Sequence, residues 1–492
     1  MSALMPPSDR DLESKSKEST QIVSFKEEQS KDGYEVDLEL LEHPQAKKLF
    51  IKWVIVAIIG ACALNVTFAS SAASFTETGV GNDFHVTKEI TILSITLYVA
   101  GLGIGPLLTG PLSEVYGRNI IYRVSFILIT AFTFGVAFAP DIAVHLVFRF
   151  LSGLSGSSFL SVAGGTVSDL FENRQVGTPM ALYVLFPFVG SVIAPIYAGF
   201  VNQNTNWRWT YYVLIILSFV QTIALFLIPE TYVPVLRKWK AARLRKSTGD
   251  ANYWAPLDRR QQSMTEAIII SCYRPFQLIF YERMALLLNT WTAMMFGILY
   301  LTFQAFPVIF GKNHHFNVQE VGLSFTGISL GMLASGFTQP YFNRFLLKEA
   351  EKAGGKAPPE SRLYAAEIGS ICIPVSLYWL AFTTYPHVHW IVPMIASVLF
   401  GFGDFLLFNS VLTYLVVAYR PIAASAMASN SAMRYSFAAV FPLFAGQMFD
   451  RLGTVGATAL LAGLMTLAAP LPFIFRRIGE RVRAKSRFAH HE

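Results

Sequence analysis

Three charged residues stand inside long apolar runs, where charge is most expensive: Arg149, Asp404 and Arg434. An ionised side chain at the centre of a bilayer costs roughly 2.5 kcal/mol or more, so such residues mark ion paths, proton relays or ligand sites by default. Asp404 and Arg434 fall near the middle of consecutive runs, at similar depth, and are expected to pair or to exchange partners during a working cycle. Desolvation favours the neutral acid and a nearby cation favours the charged one, so a carboxyl held between these demands can carry a proton. The plain alternative is a static ion pair that fixes helix packing. Glu367, near the start of another run, reads as a carboxylate snorkelling to the surface.

Uncharged polar groups form the next set. Asn65, Asn289, Gln304, Asn409 and Asn430, with Tyr183 and Tyr300, are expected to line a substrate cavity. Each also has a structural reading, a hydrogen bond to a neighbouring helix. Trp291, Phe296, Tyr300, Phe303 and Phe306 crowd one run and suit a greasy, adaptable pocket. Gly190, Pro195 and Gly199 lie in one segment, where proline removes a backbone bond and glycine permits close packing, so a hinge is expected there. No metal site follows, because Cys62, Cys272 and Cys372 are far apart.

The elements that must position these groups are membrane helices. The chain has 492 residues, 53% hydrophobic and 14% charged, against about 25% charged in a soluble domain. Runs of about 20 apolar residues each fit a bilayer, and twelve are expected: 50–73, 90–112, 119–138, 143–167, 179–201 and 210–228, then 284–309, 321–345, 363–382, 390–417, 421–447 and 455–475. The fold class is all-α integral membrane, with twelve transmembrane helices in two six-helix halves around a central cavity. Residues 1–46 read as a disordered cytosolic tail, 47–228 as the N-terminal half, 229–283 as a basic cytosolic linker, 284–475 as the C-terminal half and 476–492 as a basic cytosolic tail. Lys238 to Lys246 suits either a basic helix on anionic lipid or a solvated linker. The net charge of +7 collects in alternate loops, which points to membrane topology rather than nucleic acid and puts both termini in the cytosol.

The stretch GLGIGPLLTGPLSEVYGRNIIYR, 101–123, joins the second and third runs. Gly101, Gly105 and Gly110 let a neighbouring helix come close, Glu114 sits where it can cap a helix N-terminus, Gly117 suits a turn, and Arg118 and Arg123 mark the cytosolic side. Thr338-Gln339-Pro340 with Arg344 faintly echoes Thr109-Gly110-Pro111 with Arg118. Gly110, Glu114, Gly117 and Arg118 match the loop signature of the major facilitator superfamily, which the chain resembles from about residue 50 onward. It looks closest to the fungal twelve-span drug:proton antiporters. The shared segments are RFLSGLSGSSFLSVAGGTVSDLF with Arg149 at its head, NWRWTYYV, PETYVPVL, GILYLTFQAFPVIF and ASAMASNSAMRYSFAAVFPLFAGQMF. The segment GSVIAPIYAGF matches that group's fifth-span motif incompletely, with Ser191, Ala194 and Ala198 departing from it. Gln304 and Val417 are neutral where relatives often carry an acid.

That resemblance implies a proton-coupled exporter of small amphipathic organic compounds, such as a fungal secondary metabolite, toxin or antifungal drug. It links Arg149 to proton coupling, and Asp404, Arg434, Glu114 and Arg118 are expected to share in coupling or gating. Protons are the coupling ion, no cofactor is expected, and the partners are a small molecule, protons and lipid, with the chain a monomer. The expected address is the plasma membrane, with a vacuolar membrane as the alternative. An importer or polyamine carrier is the rival on the same scaffold, although a polyamine site needs several buried carboxylates and the sequence offers mainly Asp404. A non-transporting sensor is the rival of another class. No phosphate loop, zinc-protease motif or nucleophile elbow appears, so neither an enzyme nor an ATP-driven pump is expected.

Overall fold

The computed structural model describes residues 34–39, 42–172, 175–259, 264–352, 354, 357–419, 422–484 and 486. The first 33 residues of the expected N-terminal tail and nearly all of the C-terminal tail after Ala484 lie outside the described residues. With no water in the bilayer, backbone groups must pair within their own segment, and a helix is the way an isolated run can do so. The first six spans are Leu49–Phe75, Lys88–Tyr116, Arg118–Ala137, Ile142–Leu170, Gly177–Asn204 and Arg208–Phe226. Spans 7 to 10 are Arg283–Lys312, Val318–Lys352, Pro359–Phe382 and Ile391–Ala418. The following helix, Ala423–Ala468, has 46 residues. At 1.5 Å per residue that is roughly 70 Å, over twice the hydrocarbon thickness. Gly453 resolves the mismatch: its φ of 70° breaks the helix and divides it into spans 11 and 12. The described residues therefore hold twelve spans, as the composition requires.

Spans 1, 2, 4 and 5 pack together, as do spans 7, 8, 10 and 11, and the two sets meet where span 2 touches span 11 and span 5 touches span 8. Moving six spans along the chain converts one of these contacts into the other, so they are one contact made twice. The close approaches repeat too. A methyl group on Gly153 of span 4 would overlap the Tyr98 carbonyl of span 2, and one on Gly401 of span 10 would overlap the Ile328 carbonyl of span 8.

The described residues at the end of the expected N-terminal tail contact the linker. Glu35 bridges Trp254, Arg237 pairs with Asp37 at 2.8 Å, and Lys240 pairs with Glu42 at 2.7 Å. These join a helix at Val233–Thr248 in a small unit of their own. A second linker helix, Met264–Tyr281, leads into span 7.

The turn between spans 2 and 3 depends on one backbone conformation. Gly117 has φ 98° and ψ 164°, a region nearly closed to other residues. That geometry aims the N–H groups of Arg118 and Asn119 at the Glu230 carboxylate, 3.0 and 3.1 Å away. Glu230, after span 6, therefore caps span 3; the expected cap, Glu114, lies half-buried in the last turn of span 2.

Gly117→Ala should cost about 1–3 kcal/mol from backbone strain, worsened because its methyl would overlap the Glu230 carboxylate. Gly110→Ala, whose methyl meets nothing within 4 Å, is the control. Thermal unfolding of the purified proteins should show a lower transition for the first variant and an unchanged one for the second.

Candidate functional site

Arg149 lies 2% exposed on span 4. Small neighbours along that helix, Ser152 and Gly153 among them, let span 2 come close enough to enclose the guanidinium. Its Nε donates to the Ser94 carbonyl and its Nη1 to the Ala69 carbonyl, each at 3.0 Å. The Tyr98 ring lies 4.3 Å beneath it and the Tyr211 ring 5.8 Å away. Backbone carbonyls and π-faces thus hold the charge, and Nη2 keeps its hydrogen-bonding capacity unused. One turn earlier, His145 shares a hydrogen bond of 3.1 Å with the Ser94 hydroxyl, inside a cage of Phe84, Trp207 and Tyr211. Its apolar neighbours in sequence gave no sign of this role.

Asp404 is fully buried on span 10, and neither carboxylate oxygen has a hydrogen-bond partner. Arg434 lies across from it on span 11, yet the expected ion pair is not formed: no cationic side-chain nitrogen lies within 4.0 Å of the Asp404 oxygens. The Arg434 guanidinium stacks instead over Phe296 and Tyr435, both at 4.9 Å, and over Phe408 at 5.7 Å. Phe408 stands one helical turn beyond Asp404, so the wall that holds the cation borders the acid. All three buried charges are enclosed by protein, not exposed on its outer surface.

The polar side chains sort by the helices they join. The Tyr300 hydroxyl meets the Ser70 hydroxyl at 2.9 Å, and the Gln304 amide donates to Glu77, both from span 7 across to the N-terminal half. Asn430 donates to Asn289 at 3.0 Å and Thr292 at 2.7 Å, while Asn289 donates to Ser429 at 3.0 Å, knotting span 7 to span 11. Asn65 turns to Ser218 and Gln221 of span 6, Tyr183 donates to the Phe159 carbonyl of span 4, and Asn409 donates to Gln339 of span 8. Tyr300 and Gln304 bond across the seam between halves, whereas the other five bind neighbours within one half.

Arg118 is fully engaged. It contacts Asp169 at 3.4 Å, Ser113 at 3.0 Å and the Tyr232 ring at 4.6 Å. Glu367 does not snorkel: it is buried and pairs with Arg476 at 2.7 Å. Glu360 likewise holds Arg483 through two bonds, of 2.8 and 3.1 Å. Charged partners after span 12 made both carboxylates affordable inside, and nothing local in the sequence links residues more than 100 positions apart.

The expected hinge divides in two. Span 5 runs as one helix through Pro195, and Gly190 backs onto the Leu64 carbonyl within its own half. Gly199 instead meets span 8: a methyl group there would lie 2.9 Å from the Val318 carbonyl and 3.1 Å from the Gly322 Cα. One turn on, Gln203 accepts a bond of 3.1 Å from the Val318 N–H. This contact closes the seam at the end of the body farthest from the linker.

Comparison with known proteins follows this architecture. The family described as Major Facilitator Superfamily matches residues 57–442. An efflux pump of Aspergillus terreus, atB, is 45% identical over 79% of this chain and 83% of its own. A probable drug/proton antiporter of Saccharomyces cerevisiae, YHK8, is 40% identical over 89% of this chain and 86% of its own. The xylose transporter XylE of E. coli, in a partially occluded inward open conformation, superposes with a TM-score of 0.62 at 15% identity, covering 87% of this chain and 98% of that one, a likeness of fold.

Gly199→Val should prise spans 5 and 8 apart, since overpacking of this kind costs about 1–3 kcal/mol. In a protein lacking native thiols, labelling of Tyr300→Cys by an impermeant maleimide from the far side should accelerate roughly tenfold. Gly190→Val should leave that rate unchanged and lower thermal stability instead.

Proposed function

The chain belongs to the Major Facilitator Superfamily, a transporter and not an enzyme, and from that premise we propose that it exports small amphipathic organic compounds in exchange for protons. The observation that carries the coupling is the unpartnered Asp404 carboxyl beside the ring-held Arg434, deep within the body. Relatives named as efflux pumps and as a drug/proton antiporter support the direction.

In this reading the two halves rock about the repeated contacts of span 2 with span 11 and span 5 with span 8. The linker side is cytosolic, in keeping with its basic residues, and the far side faces outward across the plasma membrane. Cargo enters from the cytosol or inner leaflet. Phe296, Tyr300 and Phe408 provide buried apolar faces for it. Asn289 and Asn430, bonded to each other between spans 7 and 11, add polar groups in the C-terminal half. Protons move inward through Asp404, while Arg149 keeps a fixed positive charge in the opposite half. No resident cofactor is needed, because the membrane potential supplies about 2.3 kcal/mol per proton at 100 mV.

Asp404→Asn tests the reading. That driving force sustains roughly a fifty-fold gradient per proton, and it should vanish in proteoliposomes carrying the variant, measured with a fluorescent amphipathic dye under an imposed proton gradient. Dye exchange without a gradient should persist. Unchanged proton-driven accumulation would remove Asp404 from the mechanism.

A further inference from the structure

Glu77 lies beyond the end of span 1, in the first turn of a short helix, Glu77–Phe84, at the far side of the body. A loop carboxylate there has every reason to stay in water, yet Glu77 is 8% exposed. It accepts a hydrogen bond from the Gln304 amide of span 7, so the contact joins the N-terminal half to the C-terminal half. Phe75, two residues earlier, packs edge-on against Phe325 of span 8, and Phe325 packs in turn on Phe306 of span 7. The seam around this carboxyl is thus lined with rings.

We propose that Glu77 is a proton-binding site of the transport cycle: it takes a proton from the far side when the halves part there, and it is covered by Gln304 when they close. The assignment rests on the proton-coupled reading above and adds to it the residue that meets the outside.

The chemistry follows from what closure does. An open far side leaves Glu77 in water, in the ordinary glutamate range. Closure strips that water, and burial pushes its pKa up to about 7, against the opposing pull of Lys88 and of the Gln304 amide. Lys88, exposed at the start of span 2, is the cation that faces it, while Asp83 on its own helix is engaged by Arg208 and Trp207. Gln304 suits either form of the acid, since its N–H donates to the carboxylate and its carbonyl accepts from the protonated acid after an amide flip. The closed form therefore binds the proton more tightly. Closure is favoured at low pH, and opening gains up to about tenfold for each pH unit between the ordinary range and about 7. One turn along span 7, the Tyr300–Ser70 pair continues the polar seam, and the neighbouring Ala69 carbonyl holds Arg149.

The test uses the full chain in lipid nanodiscs, without native thiols, with fluorophores at Asn204→Cys and His387→Cys reporting separation of the halves at the far side. Between about pH 5 and 9, the separation should grow with a midpoint near 7. Glu77→Gln, a mimic of the protonated acid, should stay closed throughout. Lys88→Gln and Gln304→Leu remove groups that favour the charged form, so each should move the midpoint up by a few tenths of a unit. Lys88→Gln alters an exposed side chain and keeps the test decisive if Glu77→Gln does not fold. Superimposed curves for the parent and Glu77→Gln, or a midpoint moved down by Lys88→Gln, would overturn the assignment. Rhodamine 6G efflux from proteoliposomes, with and without a protonophore, separates this from the wider reading. Efflux indifferent to the protonophore defeats proton coupling, whereas coupled efflux with a flat label titration defeats Glu77 alone.

Discussion

Keeping a permanent positive charge inside a lipid-embedded body is the constraint on which the N-terminal half is built. Arg149 cannot shed its proton, so the surroundings must supply what water would have supplied. They do so with two carbonyl oxygens from two different spans and the face of Tyr98. Each requirement fixes a helix: Ala69 places the end of span 1, Ser94 places span 2, and Tyr98 must lie directly beneath the guanidinium. Gly153, without a side chain, allows span 2 to reach that position. The Tyr98 hydroxyl then donates to the Val66 carbonyl at 2.8 Å and locks the ring. The small residues of the RFLSGLSGSS segment are therefore the space a buried cation needs, as well as a packing surface.

The C-terminal half answers the same problem by a different route. Arg434 rests on aromatic rings, with a carboxyl near it but not bonded to it. The backbone geometry is nevertheless a repeat. Gly153 on Tyr98 and Gly401 on Ile328 are equivalent approaches, as are the contacts of span 2 with span 11 and span 5 with span 8. Repetition lies in the helices and their glycines, and divergence lies in the charged groups they enclose. In the proposed cycle the repeated frame is what rocks, while the enclosed charged groups differ between the halves.

The spans were legible because lipid imposes one solution on a long apolar run, and even the fused helix at 423–468 reads as two spans once its length is set against the bilayer. Gly117 was legible for a similar reason, since a polar turn too short for other residues calls for glycine. Pairings were not. Asp404 and Arg434 share a depth, but depth does not say which way a side chain points, and the rings of Phe296 and Tyr435 proved the better seat for the cation. Glu230, Glu367 and Glu360 find partners far along the chain, and only the folded body brings those together. Nothing in the sequence around Glu77 signals its burial, since Gln304, the residue that donates to it, lies 227 positions on.

The missing bond between Asp404 and Arg434 is better suited to a moving carrier than the expected one. Removing one partner of a well-formed buried ion pair costs about 3–5 kcal/mol, and in the proposed cycle parting such a pair would add to the barrier for movement. Rings hold the cation instead, and a cation–π contact sets a looser geometry than a bidentate salt bridge. Asp404, bordered by Phe408 and lacking any donor, then depends on its electrostatic surroundings alone. A small displacement of span 11 changes the distance to Arg434, and with it the balance between the charged and neutral acid. In the proposed cycle, movement of the halves and protonation of the carboxyl would be coupled with no Asp404–Arg434 bond to break first.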